Sequence, residues 1–270
     1  MTTLREELAA ASASLTEVGC ETPRLDAELL LAHVLGVDRG QLVIRSDEEA
    51  GGDDRTRYLA LLTRRVKREP MAYILGRRDF RRLTLLVDPR VLIPRPETEL
   101  LVEVGLTLPA GARVADVGSG SGAVALALKD ERPDLDVVGV DVSSGALSVA
   151  RMNASRLALQ AEFVQGDLLE GVVCDVVLAN LPYVAEDELL PPDVAFYEPR
   201  EALLGGRDGL DVVRRLVAQV GGRQEISLVA LEIGHDQGDT VVGLFSEAGF
   251  REVERLRDLA GYERVIVGRR

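Results

Sequence analysis

Apolar residues recur with a helical period in the first quarter of the chain. One set falls near the i, i+4 and i+7 positions of a single helix face: Leu25, Leu29, Ala32 and Leu35. Pro23 suits the first turn of this helix, and Gly36 suits its end. A second set ends before Pro70: Tyr58, Leu61, Leu62, Arg65 and Val66. Because no β-type alternation interrupts these sets, residues 1–75 are predicted to form a small helical domain.

The pattern changes after residue 75. Phe80, Leu83, Leu85 and Val87 are spaced as in two short strands, which predicts a β-hairpin linker over residues 76–92. From residue 93 to 270, apolar runs alternate with helical segments. The predicted strands are Val114–Val117, Val137–Val140, Phe163–Val164, Val176–Ala179, Leu228–Ile233, Arg251–Leu256 and Tyr262–Val267. The predicted helices are Ala123–Lys129, Ala146–Ala158, Leu210–Val220 and Thr240–Ala248. This alternation predicts an α/β domain with a mostly parallel sheet covered on both faces.

Composition and charge exclude several classes of protein. The formal charge of −13 argues against sequence-independent binding of nucleic acid. No apolar run approaches the roughly 20 residues of a membrane-spanning helix, and the charged first residues do not resemble a secretory signal. Two distant cysteines, Cys20 and Cys174, and two histidines give no metal-ligand spacing, so no metal is expected. We expect a soluble, cytoplasmic protein that does not bind membranes.

One local cluster of basic residues opposes this acidic net charge. It contains Arg64, Arg65, Lys67, Arg68, Arg77, Arg78, Arg81 and Arg82. Such a cluster forms either a solvated face or a docking surface for a partner that itself binds RNA. The sequence leaves both interpretations open.

A glycine-rich turn follows the first predicted strand of the α/β domain. It reads Asp116-Val117-Gly118-Ser119-Gly120-Ser121-Gly122, and a helical pattern begins at the next residue. The glycines let the backbone turn sharply and approach a ligand closely. Their spacing differs from the Gly-x-Gly-x-x-Gly dinucleotide fingerprint. Asp116 at the strand end would also sit badly against a pyrophosphate. The turn therefore predicts a ligand without a phosphate group at this position.

Two further acidic residues end the next two strands. Asp141 lies about 19 residues beyond Gly122, where a carboxylate can accept both hydroxyls of a ribose. Asp167, followed by Leu168, ends the third strand. These features fit a nucleoside with a cationic amino-acid tail, and S-adenosyl-L-methionine has that composition. The predicted cofactor-binding residues are Asp116, Gly118, Ser119, Gly120, Ser121, Gly122, Asp141, Asp167, Leu168 and Asn180.

The tetrapeptide Asn180-Leu181-Pro182-Tyr183 follows directly on the apolar run 176–179. The Asn180 carboxamide supplies an acceptor oxygen, Pro182 fixes a turn, and Tyr183 offers an aromatic face. The same residue types are common in a plain strand-to-loop turn. In a doubly wound sheet, however, ligands bind beyond the carboxyl ends of the strands at the topological switch point. Asn180 would then lie across from a methyl donor.

At this point the chain resembles a known family over nearly its full length. It is similar to the protein-(glutamine-N5) methyltransferases that modify the Gly-Gly-Gln loop of class 1 peptide chain release factors. The resemblance rests on the glycine turn, the tetrapeptide at 180–183 and several further segments. These are Val91-Leu92-Ile93-Pro94-Arg95-Pro96-Glu97-Thr98-Glu99, Tyr197-Glu198-Pro199-Arg200, Ala202-Leu203, Gly205-Gly206-Arg207-Asp208-Gly209-Leu210 and Glu232-Ile233-Gly234 with Gln237.

The resemblance implies a class I S-adenosylmethionine-dependent methyltransferase with a Rossmann-like, mostly parallel seven-stranded sheet in residues 93–270. It also implies that residues 1–75 recognise the release factor, that the protein is a monomer, and that it does not contact nucleic acid directly. S-adenosyl-L-homocysteine would be the product of the cofactor. Asn180 Oδ1 and the Leu181 carbonyl would accept the two amide hydrogens of the substrate glutamine, beside Pro182 and Tyr183.

Two residues near the start of this domain have more than one interpretation. Arg95 is expected either to bind the substrate or to pair with Glu97 or Glu99. Thr98 is interpreted as the cap of a helix that begins with Glu99.

Two positions depart from the family pattern. Leu181 replaces the usual first proline of Asn-Pro-Pro-Tyr, and Asn-Leu-Pro-Tyr is more typical of enzymes that dimethylate adenine in ribosomal RNA. Arg81 and Arg82 stand in the hairpin where the family has small residues. Two alternatives therefore remain: a glutamine methyltransferase of a ribosomal protein, and an adenine-N6 methyltransferase acting on RNA or DNA. The negative charge and the lack of an aromatic-rich basic domain argue against the second.

Overall fold

The computed structural model describes residues 2–270, which form two compact units. The smaller unit comprises the chain up to Gly76 and also the distant segment Leu190–Tyr197. The larger unit comprises Arg77–Leu189 and Glu198–Arg270. The hairpin predicted as a linker therefore packs as part of the larger unit.

Helices build the smaller unit, as predicted. They are α1 (Leu4–Glu17), α2 (Pro23–Leu35), α3 (Arg39–Ile44), α4 (Gly52–Val66) and α5 (Met71–Leu75). A capping box starts α1, in which Thr3 Oγ1 accepts the Glu6 N–H and the Glu6 carboxylate accepts the Thr3 N–H. Gly36 ends α2 in the left-handed conformation, at φ 64°. Their buried apolar side chains form one hydrophobic core.

Within the smaller unit, three of the eight residues of the basic cluster form ion pairs. Arg65 is buried, and it donates to Asp26 (2.7 Å) and to Asp193 (2.6 Å), which Arg68 also contacts. Arg64 pairs with Glu69 at 2.5 Å. A buried guanidinium needs such partners because an unpaired charge is costly to remove from water. Both interpretations of the cluster, as a solvated face or as a docking surface, are therefore wrong for the buried Arg65.

The hairpin consists of β1 (Arg77–Phe80) and β2 (Leu83–Leu86), paired antiparallel. Phe80, Leu83 and Leu85 are buried in the core of the larger unit. Arg81 adopts φ 50°, a left-handed conformation that favours glycine. Its guanidinium pairs with Glu131 and Glu103. Arg81 thus places a charged side chain in the turn where the family has a small residue, and β1 and β2 still pair as a hairpin.

A seven-stranded sheet organises the larger unit. Its strands are β3 (Arg113–Val117), β4 (Asp136–Asp141), β5 (Glu162–Gln165), β6 (Val176–Ala179), β7 (Leu228–Glu232), β8 (Glu252–Arg257) and β9 (Glu263–Arg269). The remaining helices are α6 (Glu99–Leu106), α7 (Ala123–Glu131), α8 (Ser144–Leu157), α9 (Pro192–Ala195, in the smaller unit), α10 (Asp211–Gly221) and α11 (Gly238–Glu247). Single 3-10 turns span Pro96–Thr98 and Arg200–Ala202.

The strands lie in the order β5-β4-β3-β6-β7-β9-β8, and β9 runs antiparallel to the other six strands. The predicted α/β class and mostly parallel sheet are confirmed. Successive residues of β6 alternate between two hydrophobic clusters, because side chains of a strand point to opposite faces. The chain leaves β3 in one direction and returns on its other side as β6, so the switch point lies between these two strands.

Candidate functional site

The glycine turn joins β3 to α7 at the carboxyl edge of the sheet. The N–H groups of Gly118 and Ser119 both donate to the Val140 carbonyl, at 2.8 and 3.0 Å, and thereby attach the turn to β4. Gly118 has φ 75°, and a Cβ at this position would lie 3.1 Å from the Asn180 carbonyl oxygen. Glycine therefore allows the turn to pass close to the residue that follows β6.

Asp116 is buried behind this turn. Its carboxylate accepts hydrogen bonds from Ser119 Oγ (2.7 Å) and from the Ala125 N–H at the start of α7 (3.1 Å). Burial raises the pKa of the Asp116 carboxyl to about 6, although both hydrogen bonds favour the charged form. The position of this carboxylate fits a role in holding the turn against the helix.

An open cavity of about 320 Å³ lies at the switch point. The predicted residues that line it are Gly118, Gly120, Asp141, Asp167, Leu168, Asn180, Leu181 and Pro182. Residues that were not predicted also line it: Arg90, Val91, Leu92, Val117, Val140, Val142, Ser143, Ala146, Gly166, Pro199, Glu201, Ala202, Val212 and Arg215. The other predicted residues, which are Asp116, Ser119, Ser121, Gly122, Tyr183 and Arg95, are not part of this lining. The structure therefore brings together residues from four strand ends around one space.

Asp141 presents its carboxylate to this cavity. Its two oxygens accept hydrogen bonds from the N–H groups of Gly120 (2.9 Å) and Ser143 (2.8 Å). Each oxygen retains a second lone pair, so a ligand hydroxyl can still bind. Burial raises the pKa of Asp141, and the negative charge of Glu201 adds to that effect. The carboxylate is thus fixed in place and able to accept further hydrogen bonds.

The neighbouring strand end carries Asp167 and Leu168. Asp167 pairs with Arg215, and both line the cavity. Leu168 is buried at φ 59°, which costs a non-glycine residue about 1–2 kcal/mol. Such strain at a ligand cavity is typical of functional segments.

Asn180 is held by a chain of hydrogen bonds on the side of the sheet that faces α6. Its Nδ2 donates to Thr98 Oγ1 (3.0 Å), which donates to Glu232 Oε2 (2.6 Å). Tyr183 Oη approaches Glu232 Oε1 at 3.4 Å. A helix does begin at Glu99 with Thr98 at its N-cap position, as predicted, but the Thr98 hydroxyl makes this buried contact and no cap hydrogen bond.

Glu232 is a buried acid at the end of β7. Burial raises the pKa of its carboxyl to about 7, and the hydrogen bond from Thr98 limits the rise. Burial also raises the pKa of the Tyr183 hydroxyl, with the nearby charge of Glu232 acting in the same direction. Tyr183 is therefore a neutral phenol at physiological pH, and Glu232 is poised between its two forms.

Leu181, in the tetrapeptide, packs against the glycine turn. Its side chain is buried, and Cδ2 lies 3.2 Å from the place where a Gly118 Cβ would be. Leu181, which departs from the proline usual in the family, thus supplies an apolar contact between the tetrapeptide and the glycine turn.

A second glycine-rich segment packs behind the tetrapeptide. A Cβ at Gly209, which has φ 76°, would come within 2.1 Å of the Tyr183 carbonyl oxygen. Gln237 Nε2 donates to the same oxygen at 2.9 Å, and its Oε1 accepts the Gly234 N–H. These contacts fix the backbone of Tyr183 and explain why the Gly205–Leu210 segment and Gln237 accompany the tetrapeptide.

Arg95 pairs with a residue that is distant in sequence. Its Nη2 donates to Glu198 Oε1 at 2.5 Å, and Glu198 Oε2 accepts the Ile93 N–H at 3.1 Å. The expected pairing of Arg95 with Glu97 or Glu99 is therefore wrong. This contact joins the two segments at 91–99 and 197–200 on which the resemblance rests.

Residues 2–270 contain no group of acidic, histidine and cysteine side chains suited to a metal ion. Over the same residues, no helix is long and apolar enough to span a bilayer.

Sequence reasoning missed the partners of the tetrapeptide. Glu232 was assigned to the apolar run Leu228–Ile233, although it is an acid at a strand end, like Asp116 and Asp141. That signal could have found it. No local signal identifies Thr98 as its partner, since 134 residues separate the two.

Family models and relatives agree on what this chain is similar to. The PrmC N-terminal domain matches residues 6–76, and the methyltransferase small domain matches residues 96–192. A release factor glutamine methyltransferase of Geobacter sulfurreducens is 39% identical over 99% of this chain and 96% of its own length. Its counterpart in Mycolicibacterium smegmatis is 40% identical over 100% and 99%.

Two solved structures support the fold at low sequence identity. The hMettl16 catalytic domain in complex with an RNA hairpin of the MAT2A 3'UTR has a TM-score of 0.57 at 15% identity, covering 77% of this chain and 81% of that one. A ribosomal protein L11 methylase from Lactobacillus delbrueckii subsp. bulgaricus has a TM-score of 0.50 at 20% identity, covering 68% and 84%. These two structures show the fold alone, whereas the full-length relatives at 39% and 40% identity show that the chain belongs to the release factor glutamine methyltransferase family.

Proposed function

We propose that this protein transfers a methyl group from S-adenosyl-L-methionine to the side-chain amide nitrogen (N5) of the glutamine in the Gly-Gly-Gln motif of class 1 peptide chain release factors. The observation that carries this proposal is the Asn180 carboxamide at the edge of the cavity. Its NH₂ group is bound to Thr98, which leaves Oδ1 free to accept a hydrogen bond. The names of the full-length relatives support a release factor as the substrate.

The cavity fits the cofactor at both its polar and its apolar parts. Asp141 would accept the ribose hydroxyls, and the apolar side chains of Val142 and Leu168 would contact the adenine. Gly118 and Gly120 let the backbone lie close to the amino-acid tail. When bound, the cofactor supplies an electrophilic methyl group on a positively charged sulfur and leaves as S-adenosyl-L-homocysteine.

Not all of the predicted cofactor residues would touch the ligand. Asp116, Ser119, Ser121 and Gly122 lie outside the cavity lining and would shape the glycine turn. Asp167 would act together with Arg215, to which it is paired.

The acceptor half must orient a weak nucleophile. The nitrogen of a carboxamide is unreactive because its lone pair is delocalised into the carbonyl. Asn180 Oδ1 and the Leu181 carbonyl would accept its two hydrogens and direct the nitrogen toward the methyl donor. Both oxygens would also stabilise the positive charge that develops on nitrogen in the transition state. Pro182 and Tyr183 would shape the apolar surface around the acceptor amide, and Arg95, held by Glu198, would stand at the substrate side.

We also propose how the protein recognises the release factor, which oligomeric state it has and where it acts. Residues 1–75 would recognise the release factor, 76–92 would connect them to the catalytic domain at 93–270, and the protein would act as a monomer without binding nucleic acid. Because release factors work in translation termination, we infer a cytoplasmic location.

A transfer experiment with labelled cofactor tests this proposal. The protein is incubated with methyl-labelled S-adenosyl-L-methionine and a purified class 1 release factor, a large-subunit ribosomal protein, or structured RNA. We expect label on the release factor alone. A release factor with Ala in place of the motif glutamine is the matched control and should remain unlabelled. Label on the ribosomal protein would move the acceptor to another protein glutamine, and label on RNA alone would support the adenine reaction suggested by Leu181.

A further inference from the structure

The buried pair Thr98 and Glu232 lies outside the cavity, yet it is bonded to the residue that would bind the acceptor. Thr98 Oγ1 lies 3.0 Å from Asn180 Nδ2 and 2.6 Å from Glu232 Oε2. Both side chains are buried, with exposed fractions of 4% and 1%. Burying a carboxyl is costly, so its place beside the acceptor site requires an explanation.

We propose that Thr98 and Glu232 are positioning residues of the methyl-transfer reaction, which hold the Asn180 carboxamide with its oxygen toward the acceptor amide. This inference rests on the proposed function, because it concerns the same acceptor site.

The protons available on each group determine the orientation of the Asn180 carboxamide. A carboxylate only accepts hydrogen bonds, so Thr98 must use its single hydroxyl proton to donate to Glu232. Toward Asn180, Thr98 can then only accept. Of the two polar atoms on the Asn180 side chain, only Nδ2 can donate to it. The ionised pair therefore selects one of two carboxamide orientations that differ by a 180° rotation.

The selected orientation is the productive one. With Nδ2 directed to Thr98, Oδ1 is free to accept an N–H from the substrate glutamine. In the reversed orientation, Asn180 Nδ2 would face the side-chain nitrogen of the substrate glutamine, which offers only N–H donors. Two donors facing each other leave both without an acceptor, which destabilises that arrangement in a buried site.

Protonation of Glu232 would remove this selection. A protonated carboxyl can donate to Thr98 Oγ1, which frees the Thr98 proton to point at Asn180 and stabilise the reversed amide. Other groups around Glu232 affect this equilibrium. Glu97 raises the pKa of Glu232, whereas Arg264 and the hydroxyl of Tyr183 lower it. Arg264 is itself paired with Asp258 at 2.9 Å.

Variants of Thr98 test the inference most directly. Thr98→Val keeps the shape and removes the acceptor for Nδ2, so kcat on the release factor should fall about 10- to 100-fold. The affinity for S-adenosyl-L-homocysteine should be unchanged. Thr98→Ser keeps the hydroxyl and should retain kcat within about threefold of the wild type. Thr107→Val at the end of α6, where the hydroxyl donates to the Val104 carbonyl, is the matched control and should match the wild type.

The pH profile supplies a readout that loss of packing would not move. At saturating substrates, kcat of the wild type should decline below about pH 7, the pKa of Glu232. Glu232→Gln cannot ionise, so its lower kcat should lose this dependence. If circular dichroism shows that Thr98→Val does not fold, the pH profiles of the wild type and Glu232→Gln test the inference by themselves.

The possible outcomes separate the inference from the proposed function. Wild-type kcat and an unchanged pH profile in Thr98→Val would overturn the inference and leave the proposed function standing. A profile of the wild type that is flat from pH 5.5 to 8.5, or one that Glu232→Gln preserves, would overturn it as well. If the wild type itself labels no release factor, the proposed function fails first, and the inference falls with it.

Discussion

The proposed cofactor half and the proposed acceptor half of this site are built in different ways. The cofactor half is made of short, local segments: the turn at 116–122 and single acids at the ends of β4 and β5. Its key contacts are backbone N–H groups bound to nearby carboxylates, as at Gly120 and Asp141. The acceptor half depends on side chains far apart in sequence, since Thr98, Asn180 and Glu232 come from three separate elements.

This difference teaches where each half is vulnerable. Local backbone contacts survive most changes elsewhere, because the turn itself supplies them. A chain of hydrogen-bonded side chains loses its function when any member changes, because only one arrangement of the protons satisfies every group in the chain. We therefore expect mutations in the acceptor half to affect turnover and mutations in the cofactor half to affect binding.

The largest effect should come from Asn180→Ala. This change removes an acceptor that strengthens its interaction in the transition state, so kcat should fall about 1000-fold. Since Asn180 also lines the cavity, the affinity for S-adenosyl-L-homocysteine is the control measurement, and we expect it to change little. Single-turnover kinetics and calorimetry measure the two quantities. Equal turnover in the variant would disprove the role of Asn180.

The second largest effect should come from Gly209→Ala, which acts on the acceptor half through packing. Its Cβ would lie 2.1 Å from the Tyr183 carbonyl and would displace the tetrapeptide. A shift of about 1 Å in a catalytic group can lower kcat about 100-fold. Gly111→Ala is the matched control, because Gly111 also has a positive φ, of 75°, but no atom lies within 4 Å of the new Cβ. Equal turnover losses in the two variants would show that backbone strain, not the contact, is responsible.

A smaller effect, confined to the cofactor half, is expected for Asp141→Ala. Loss of its hydrogen bonds should weaken cofactor binding by about 1–3 kcal/mol. At saturating cofactor, kcat should remain near that of the wild type. Asp136→Ala, at the exposed opposite end of β4, is the control. Unchanged affinity in Asp141→Ala, measured by calorimetry, would exclude the ribose contact. It would also contradict the expectation that mutations in the cofactor half affect binding.

Apart from turnover, the stability of the protein should depend on pH through Glu232. Glu232 has a pKa of about 7 in the folded protein, against an ordinary value of 4.5, so the native state keeps a proton that the unfolded chain loses. Its stabilising effect is full below about pH 4.5 and is lost as the pH rises through 7, which lowers the free energy of unfolding by about 3 kcal/mol. Urea unfolding at pH 5 and pH 8 measures this loss.

Glu232→Gln should reduce that difference between pH 5 and pH 8, whereas the exposed Glu49→Gln should not. An identical pH dependence in Glu232→Gln and the wild type would mean that the buried acid does not titrate in this range. The acceptor half would then lack its pH-sensitive member.

The sequence predicted those elements whose pattern is local. The strand Val176–Ala179 agrees with the structure at both ends, and α2 begins and ends at the residues that Pro23 and Gly36 indicate. The spacing of apolar residues predicts such helices and strands, because the buried face of each element determines which positions are apolar. The sheet order required topology rules and the resemblance, since no local pattern states which strands are neighbours.

Side-chain partners were predicted less well. The basic cluster at 64–82 is contiguous in sequence, but its arginines pair with acids as distant as Asp193 and Glu131. Asn153 was not noticed, although its carboxamide binds the Leu86 backbone and the Ser121 carbonyl and so links β2 to the glycine turn. Ion pairs and buried amides depend on which elements meet, and a linear pattern does not contain that information.

The sequence by itself determined the helical first unit, the α/β second unit, the glycine turn and the acids at the strand ends, because each depends on neighbouring residues. Tertiary structure alone decided that Thr98 and Glu232 support Asn180, that Glu198 holds Arg95, and that Gly209 and Gln237 fix Tyr183. The physical reason is that a buried polar group takes whichever complementary partner the packed fold brings within about 3 Å.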